Sequence, residues 1–251
     1  MNVKGIFFDL YGTLLIYSDM SAAWSDWFSA LYKSLKVYGL SMSQESVVTY
    51  CNRFFGNPAP PPQDDGLTIF ERRIQRLGVD LGLNLGLEEV QMIATSCVSS
   101  WQKYVFLDPD AIPVLQTLQA YKSLALISNF DHPPHIYSLL SSLNLTKFFK
   151  VIIISGEVGV KKPDPRIFSF ALEATNLQPT EVVYVGDTLE DDAQGAQAAG
   201  IFPVLIQRDK SSRLILDFES IPDTSQTLPT TTINRELKII SNLSELVELY
   251  C

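Results

Sequence analysis

The amino-acid sequence predicts an α/β protein, in which a doubly wound parallel sheet carries an inserted, all-helical domain. Two observations support this prediction. After Asp108, apolar runs of strand length alternate with helical stretches up to Ile206, the order typical of parallel βαβ units. Between residues 16 and 106, apolar residues recur only at helical spacing. We therefore expect a core domain of residues 1–15 and 107–251 and a helical domain of residues 16–106.

The helical domain is predicted from its apolar periodicity. Its first helix is indicated by a run of apolar residues at helical spacing: Trp24, Trp27, Phe28, Leu31 and Leu35. Helices are expected near residues 22–38, 43–55, 67–80 and 87–104. The stretch NPAPPPQDDG, residues 57–66, is predicted to be a loop because proline and glycine interrupt regular structure.

The core domain is predicted from its alternating elements. It begins with a strand over residues 3–9. The later strands are expected at residues 123–128, 151–154, 182–185 and 201–206. Helices are expected near residues 110–121, 133–144, 165–176 and 190–199, the last with Gly200 as its C-cap. Residues 207–236, rich in Thr and Pro, are predicted to be an extended connection before a last short strand and a closing helix.

The composition excludes several classes of protein. The chain has 251 residues with 46% hydrophobic residues, enough for a sizeable core. Its 19 basic and 28 acidic residues give a net charge of −9, which does not favour nucleic-acid binding. No apolar stretch is long enough to span a bilayer, and we expect no signal peptide, because the sequence leads directly into a strand. Three widely spaced cysteines match no metal-binding pattern. We expect a cytoplasmic protein with reduced thiols.

Polar residues follow the predicted strands at their C-terminal ends, and together they predict one site. Asp9 ends the first apolar run, and Gly12 lets the backbone after it approach an anion closely. A carboxylate presented in this way is a candidate nucleophile, and Thr13 is expected to orient it by a hydrogen bond. Ser128 and Asn129 end the second strand and suit phosphate or carboxylate oxygens.

A lysine and an acidic pair complete the predicted site. Lys162 begins the segment KPDPRIF, where a following proline restricts its backbone. Asp187 and Asp192 lie in VVYVGDTLEDD, after another apolar run. Asp187 opposite Asp9 can complete a set of oxygen ligands for Mg²⁺. His132 and His135 lie near the expected site, and we interpret them mainly as loop structure, with substrate contact as the alternative, rather than as metal ligands.

With these four segments in order, the chain resembles the haloacid dehalogenase superfamily of hydrolases, in the branch with a helical cap inserted after the first motif. The resemblance implies a Rossmann-like core and an aspartyl nucleophile, Asp9. It implies that Lys162 neutralises Asp9 and the transferring group. It also implies that Mg²⁺ is bound by Asp9, the backbone carbonyl of Tyr11 and Asp187, and that Asp192, the second acidic residue of the last motif, belongs to the same metal site.

Tyr11 departs from the pattern of the superfamily's phosphatases, which carry a second Asp that protonates the leaving alcohol. A phenol with an ordinary pKa near ~10 is a poor substitute. A halide leaving group needs no proton, so Tyr11 favours a metal-independent 2-haloacid dehalogenase. Those dehalogenases, however, usually carry a small polar residue at the position of Asp187. They also carry an arginine early in the cap that binds the substrate carboxylate. The predicted helix at 22–38 contains Lys33 and Lys36 but no arginine.

These features favour a Mg²⁺-dependent phosphatase that acts on a small phosphorylated metabolite. A 2-haloacid dehalogenase is the alternative, and a weakly catalytic or non-catalytic binding protein on the same fold is a second alternative. The sequence indicates neither a particular substrate nor an oligomeric state.

Overall fold

The structure is a computed structural model that describes residues 2–51, 54–58, 60, 65–208 and 237–251. The predicted extended connection therefore lies mostly outside the described residues, as does much of the predicted loop at 57–66. Every helix in the described part of the chain is too short or too polar to cross a lipid bilayer.

A parallel sheet forms the core, as the sequence predicts. Among the described residues it has six strands in the order β5-β4-β1-β6-β7-β8. These strands are β1 (Gly5–Phe8), β4 (Ser123–Ser128), β5 (Val151–Ile154), β6 (Val182–Gly186), β7 (Phe202–Ile206) and β8 (Lys238–Ile240). β1 pairs with β4 on one side and β6 on the other, so its C-terminal end lies at the middle of the sheet edge.

Helices cover both faces of the sheet, which makes it doubly wound. The core helices are α5 (Ala111–Leu118), α6 (Pro133–Ser142), α7 (Ser155–Val158), α8 (Arg166–Thr175), α9 (Gly195–Ala198) and α10 (Glu245–Tyr250). Successive side chains of a strand point to opposite faces. Ile6 and Phe8 pack on the side of α5, α6 and α10, whereas Phe7 packs with Phe168 on the side of α8.

The inserted segment folds into a helical unit with its own apolar core. Its helices are α1 (Met20–Val37), α2 (Gln44–Cys51), α3 (Ile69–Asp80) and α4 (Leu87–Gln102). α1 and α4 pack together through buried residues such as Leu31 and Ile93. α3 begins at a capping box, in which Thr68 and Glu71 satisfy each other's backbone N–H groups.

The ends of the inserted segment differ from the all-helical prediction. Two short strands, β2 (Leu15–Tyr17) and β3 (Val105–Leu107), pair as an antiparallel ribbon between the sheet and the helical unit. Three-residue strands are too short to show an alternating pattern, so the sequence did not reveal them. The domain boundaries predicted near residues 15 and 106 fall within the two strands of this ribbon. The division of the chain into two domains remains a prediction.

The helix predicted at 190–199 is also different in the structure. Its first part is a wide π-helical turn, Leu189–Gln194, and only Gly195–Ala198 is α-helical. The carbonyl of Thr188 accepts hydrogen bonds from the N–H groups of both Asp192 and Ala193. Such wide turns are frequent at functional sites, and this one carries an acidic residue of the predicted site.

Candidate active site

Asp9 lies at the C-terminal end of the central strand. Its backbone N–H donates a hydrogen bond to the carbonyl of Val185 (2.8 Å), which extends the pairing of β1 with β6. All four residues of β1 are buried, because neighbouring strands and helices enclose it. The strand therefore delivers one carboxylate to the sheet edge, and that side chain is itself buried.

Lys162 connects the predicted nucleophile with the acidic motif. Its Nζ donates hydrogen bonds to Asp9 Oδ1 (2.6 Å), Asp192 Oδ1 (2.6 Å) and the hydroxyl of Tyr184 (2.9 Å). These three bonds use all three donors of the ammonium group. Burial alone would lower the pKa of Lys162, but the neighbouring carboxylates raise it well above its ordinary value. Lys162 is therefore a fixed positive charge beside Asp9.

Asn129 positions Lys162 through the backbone. The Lys162 N–H donates to Asn129 Oδ1 (2.8 Å), and Asn129 Nδ2 donates to the Lys162 carbonyl (3.0 Å). Asn129 Nδ2 also donates to Asp191 Oδ2 (3.3 Å). The preceding Ser128 is the last residue of β4, the strand beside β1. The structure thus places Ser128 at the same sheet edge as Asp9, and its contact with substrate remains a prediction.

Asp192 holds the loop that carries Asp187. One of its oxygens accepts from Lys162, and the other accepts from the N–H of Asp187 (3.1 Å) and from Thr188 N (2.9 Å) and Oγ1 (2.7 Å). Burial would raise the pKa of Asp192, but Lys162 and Thr188 together lower it. Both oxygens are occupied by protein donors, so we expect Asp192 to support a metal site more than to bind the ion itself.

Asp187 lies close to Asp9, and the turn after Asp9 makes room for it. Gly12 has φ +87°, and a Cβ at this position would collide with the Asp187 carboxylate. Asp9, Asp187 and Asp192 each offer one oxygen, and these oxygens lie within 4.8 Å of one another.

The carboxyl groups fit a divalent cation. Burial raises the pKa of Asp9 to about 8, an effect that Lys162 opposes and that the charges of Asp192 and Asp187 increase. Burial and Asp192 likewise raise the pKa of Asp187 to about 6. Carboxylates crowded in this way favour a nearby positive charge, and an oxygen-only set of ligands suits Mg²⁺.

The phenol of Tyr11 is hydrogen-bonded to the helical unit and not to this cluster. Its hydroxyl donates to Gln102 Oε1 (3.0 Å), at the end of α4. Its ring stacks on Phe130, with 5.3 Å between ring centroids, and packs against Trp101 at 5.2 Å. Burial and the charge of Asp9 raise the pKa of Tyr11 well above its ordinary value. The phenol therefore keeps its proton and cannot replace a carboxylic acid as a proton donor.

The expectation that Thr13 orients Asp9 is wrong. The Thr13 hydroxyl is buried and has no hydrogen-bond partner among the described residues. The turn is held instead through its backbone: Arg208 donates to the carbonyls of Gly12 (2.5 Å) and Thr13 (2.6 Å). The Thr13 side chain is completely buried, and its chain neighbours Gly12 and Leu14 offer its hydroxyl no side-chain acceptor.

The two histidines connect the core with the helical unit. His132 Nδ1 lies 3.0 Å from Thr68 Oγ1, and His135 Nε2 lies 2.9 Å from Gln102 Oε1. Burial lowers the pKa of His132, and it lowers that of His135 to about 4. Within the described residues, neither belongs to a cluster of three potential metal ligands. These contacts support the interpretation of the histidines as structural.

Sequence reasoning missed two contributors to the site. Tyr184 binds Lys162 from the middle of β6, and a buried tyrosine in an otherwise aliphatic strand was a usable signal, because its hydroxyl needs a partner. Arg208 gave no such signal. It is distant in sequence from Gly12 and Thr13. It reaches them only because it follows β7, which the strand order places two strands from β1 in the same sheet.

Comparisons with known proteins show which sequences and folds the chain is similar to. The family model for haloacid dehalogenase-like hydrolases matches residues 3–200. The chain is 32% identical over 184 residues to a glyceraldehyde 3-phosphate phosphatase from Methanopyrus kandleri, covering 71% of this chain and 72% of that protein.

Two solved structures share the fold over nearly the full length of the chain. One is a phosphatase of the superfamily from Thermococcus onnurineus, with a TM-score of 0.65 and 22% identity, covering 98% of this chain and 97% of the other. The other is a 2-haloacid dehalogenase from Pseudomonas syringae, with a TM-score of 0.64, 23% identity and the same coverage. The fold alone therefore does not distinguish the two reactions.

Proposed function

The chain belongs to the haloacid dehalogenase-like hydrolases, and we propose that it is a Mg²⁺-dependent phosphatase with Asp9 as its nucleophile. The single observation that carries this proposal is the cluster of Asp9, Asp187 and Asp192 around Lys162. Its relative from Methanopyrus kandleri is a phosphatase of a small phosphorylated compound, which supports phosphate-ester hydrolysis in this chain.

The residues suggest a two-step reaction. An oxygen of Asp9 attacks phosphorus, the bond to the leaving oxygen breaks, and water later releases phosphate from the aspartyl intermediate. Lys162 supplies fixed positive charge beside the attacking oxygen, and Asp192 and Asn129 hold Lys162 in place. A bound Mg²⁺ would add positive charge that keeps the carboxyl groups ionised and offsets charge on the phosphoryl group.

Haloacid dehalogenation is the second candidate, because Tyr11 supplies no acid and a halide needs none. Two arginines of the described part of the cap that could bind a haloacid carboxylate are already paired, however. Arg72 forms an ion pair with Asp65, and Arg73 forms one with Asp131. An acid is also retained at Asp187, which a metal-independent reaction does not require. These contacts favour the phosphatase.

A release assay distinguishes the candidates. Phosphate release from a panel of phosphorylated metabolites, and halide release from 2-haloacids, should be measured with Mg²⁺ and with EDTA. We expect phosphate release that EDTA abolishes and no halide release. Halide release that is insensitive to EDTA would establish the dehalogenase instead. Binding without either product would indicate a binding protein.

Substitution of the nucleophile tests its assignment. Asp9→Asn should abolish turnover, because the amide is nearly isosteric but does not attack, while circular dichroism shows an intact fold. Asp80→Asn is the matched control, since Asp80 only pairs with Arg76 on the exposed surface of α3. Full activity in Asp9→Asn would remove the basis for the mechanism.

A further inference from the structure

A cavity of about 700 Å³ lies between the helical unit and the core, beside the candidate active site. Two of its lining residues belong to the surroundings of Lys162: Asn129, which binds the Lys162 backbone, and Lys161, its neighbour in the chain. Tyr11 lies behind another part of the wall, because it packs on Trp101 and Phe130, which both line the cavity. The cavity therefore begins at the rim of the reaction site.

Six of the residues that line this cavity are Phe or Trp. Those that come from the helical unit and the segment before α3 are Trp24, Trp27, Phe55, Phe70 and Trp101. Phe55 stacks on Phe70 with an interplanar angle of 2° and 6.0 Å between ring centroids. Despite these neighbours, 38% of Phe55 stays exposed. Aromatic walls of this kind favour an apolar, planar group, which they contact by stacking and by edge-to-face packing.

Two charged groups of the cavity wall, Arg73 and Asp131, neutralise each other, whereas Lys161 lies where the cavity meets the reaction site. The guanidinium of Arg73 lies 3.0 Å from Asp131 Oδ2 and also donates to the carbonyls of Phe54 (2.9 Å) and Asn57 (2.8 Å). Burial lowers the pKa of His132, which favours the neutral ring. Away from Lys161, such a wall suits an uncharged leaving group better than a second anionic group.

The chemistry of the site points the same way. The Tyr11 hydroxyl donates its hydrogen bond to Gln102 Oε1, and Tyr11 stands at the sequence position of the acid in the phosphatases that the chain resembles. Substrates that need no protonation of the leaving oxygen are therefore favoured. Phenols meet this condition far better than alkyl alcohols, because the aromatic ring delocalises the negative charge of the departing oxygen.

We propose that the substrates are aryl phosphate monoesters, whose aromatic leaving group lies in the cavity between Trp24, Phe55 and Phe130. This proposal rests on the proposed phosphatase function and names its substrate class. Asp9 takes the phosphoryl group, and the bond between phosphorus and the oxygen carried by the ring breaks. The phenolate departs with the bonding electrons. A three-carbon phosphate would leave most of the aromatic wall without contact.

Matched substrates separate aromatic recognition from leaving-group acidity. Phenyl phosphate and hexafluoroisopropyl phosphate have leaving groups of similar acidity, but only the first is aromatic. 2-Naphthyl phosphate differs from phenyl phosphate mainly in aromatic area. With Mg²⁺ present, we expect kcat/KM to fall from 2-naphthyl to phenyl to hexafluoroisopropyl phosphate, by about fivefold to tenfold at each step.

Two phenylalanine variants assign this preference to the cavity. Phe55→Ala should reduce the preference for 2-naphthyl over hexafluoroisopropyl phosphate by about fivefold to tenfold, mainly through KM. Phe170→Ala is the matched control, since Phe170 is 39% exposed on α8 and does not line the cavity. We expect this control to keep the wild-type preference.

The outcomes also distinguish the two levels of the proposal. Equal kcat/KM for phenyl and hexafluoroisopropyl phosphates, with no gain for 2-naphthyl phosphate, would overturn the substrate class and leave the phosphatase intact. A preference that Phe55→Ala and Phe170→Ala change equally would overturn the assignment to this cavity. No phosphate release from any of these esters, together with none from acetyl phosphate, would overturn both the substrate class and the phosphatase.

Discussion

Arg208 Nη2 lies 2.6 Å from Asp108 Oδ2, and the same guanidinium donates hydrogen bonds to the carbonyls of Gly12 and Thr13. The N–H of Asp108 in turn donates to the carbonyl of Leu14 (3.0 Å). These contacts join the end of β7 to the turn after the nucleophile and to the segment that follows the ribbon strand β3. Arg208 therefore fixes the turn on which Asp9 and Gly12 depend.

Removal of this guanidinium should cost both stability and rate. We expect Arg208→Met to lower the free energy of unfolding by about 2–4 kcal/mol, because Asp108 and two carbonyls lose their donors. A displaced turn should lower kcat by about 10–100-fold. Urea unfolding and steady-state kinetics measure both effects. Arg76→Met serves as the control, because Arg76 forms only an exposed pair with Asp80 and should change little.

Asp187 should be needed for Mg²⁺. We expect Asp187→Asn to weaken Mg²⁺ binding by about 10–100-fold, measured by calorimetry without substrate, because an amide oxygen carries no net charge. Turnover should lose its Mg²⁺ stimulation in parallel. Asp191→Asn is the neighbouring control, since Asp191 bonds to Asn129 and lies outside the cluster of three aspartates. Unchanged binding in Asp187→Asn would show that the ion lies elsewhere.

Tyr11 should make the rate depend steeply on the leaving group. Without a proton donor, simple alkyl phosphates should turn over about 10²–10⁴-fold more slowly than aryl or acyl phosphates. Tyr11→Asp should raise the alkyl rates specifically, provided that the variant stays folded after loss of the ring from its contacts with Phe130 and Trp101.

A phenylalanine variant serves as the control for this prediction. Tyr11→Phe keeps the ring and removes only the bond to Gln102, so the dependence on the leaving group should not change. A flat leaving-group series in the wild type, or a steeper one in Tyr11→Phe, would mean that the phenol does act as an acid. The dehalogenase alternative instead predicts loss of halide release in Tyr11→Asp, because a second carboxylate repels a haloacid anion.

His135 should make the fold less stable in acid. Burial lowers its pKa from an ordinary value of 6.5 to about 4, so the unfolded chain binds a proton that the folded chain excludes. The free energy of unfolding then falls as the pH decreases from 6.5 toward 4. We expect His135→Gln to show a smaller loss between pH 7 and pH 5, measured by the urea midpoint. An identical pH dependence in both proteins would show that His135 does not cause the loss of stability in acid.

The sequence by itself determined the elements that carry the site. An apolar run that ends in a polar residue predicts a buried strand with its functional side chain at the tip, and this pattern located Asp9, Ser128 and Asp187. Because parallel strands end at the same edge of a sheet, these residues had to converge once the strands paired. Helical periodicity likewise predicted the inserted helical unit, since spacing within one segment sets which residues share a face.

Only the tertiary structure decided which atoms meet. The direction of the Tyr11 phenol, the three bonds of the Lys162 ammonium and the reach of Arg208 to Gly12 all join residues distant in sequence. Such contacts depend on strand order and on side-chain conformations chosen by packing, and no local pattern encodes them. For the same reason the sequence placed Thr13 beside Asp9, whereas packing left its hydroxyl without a partner among the described residues.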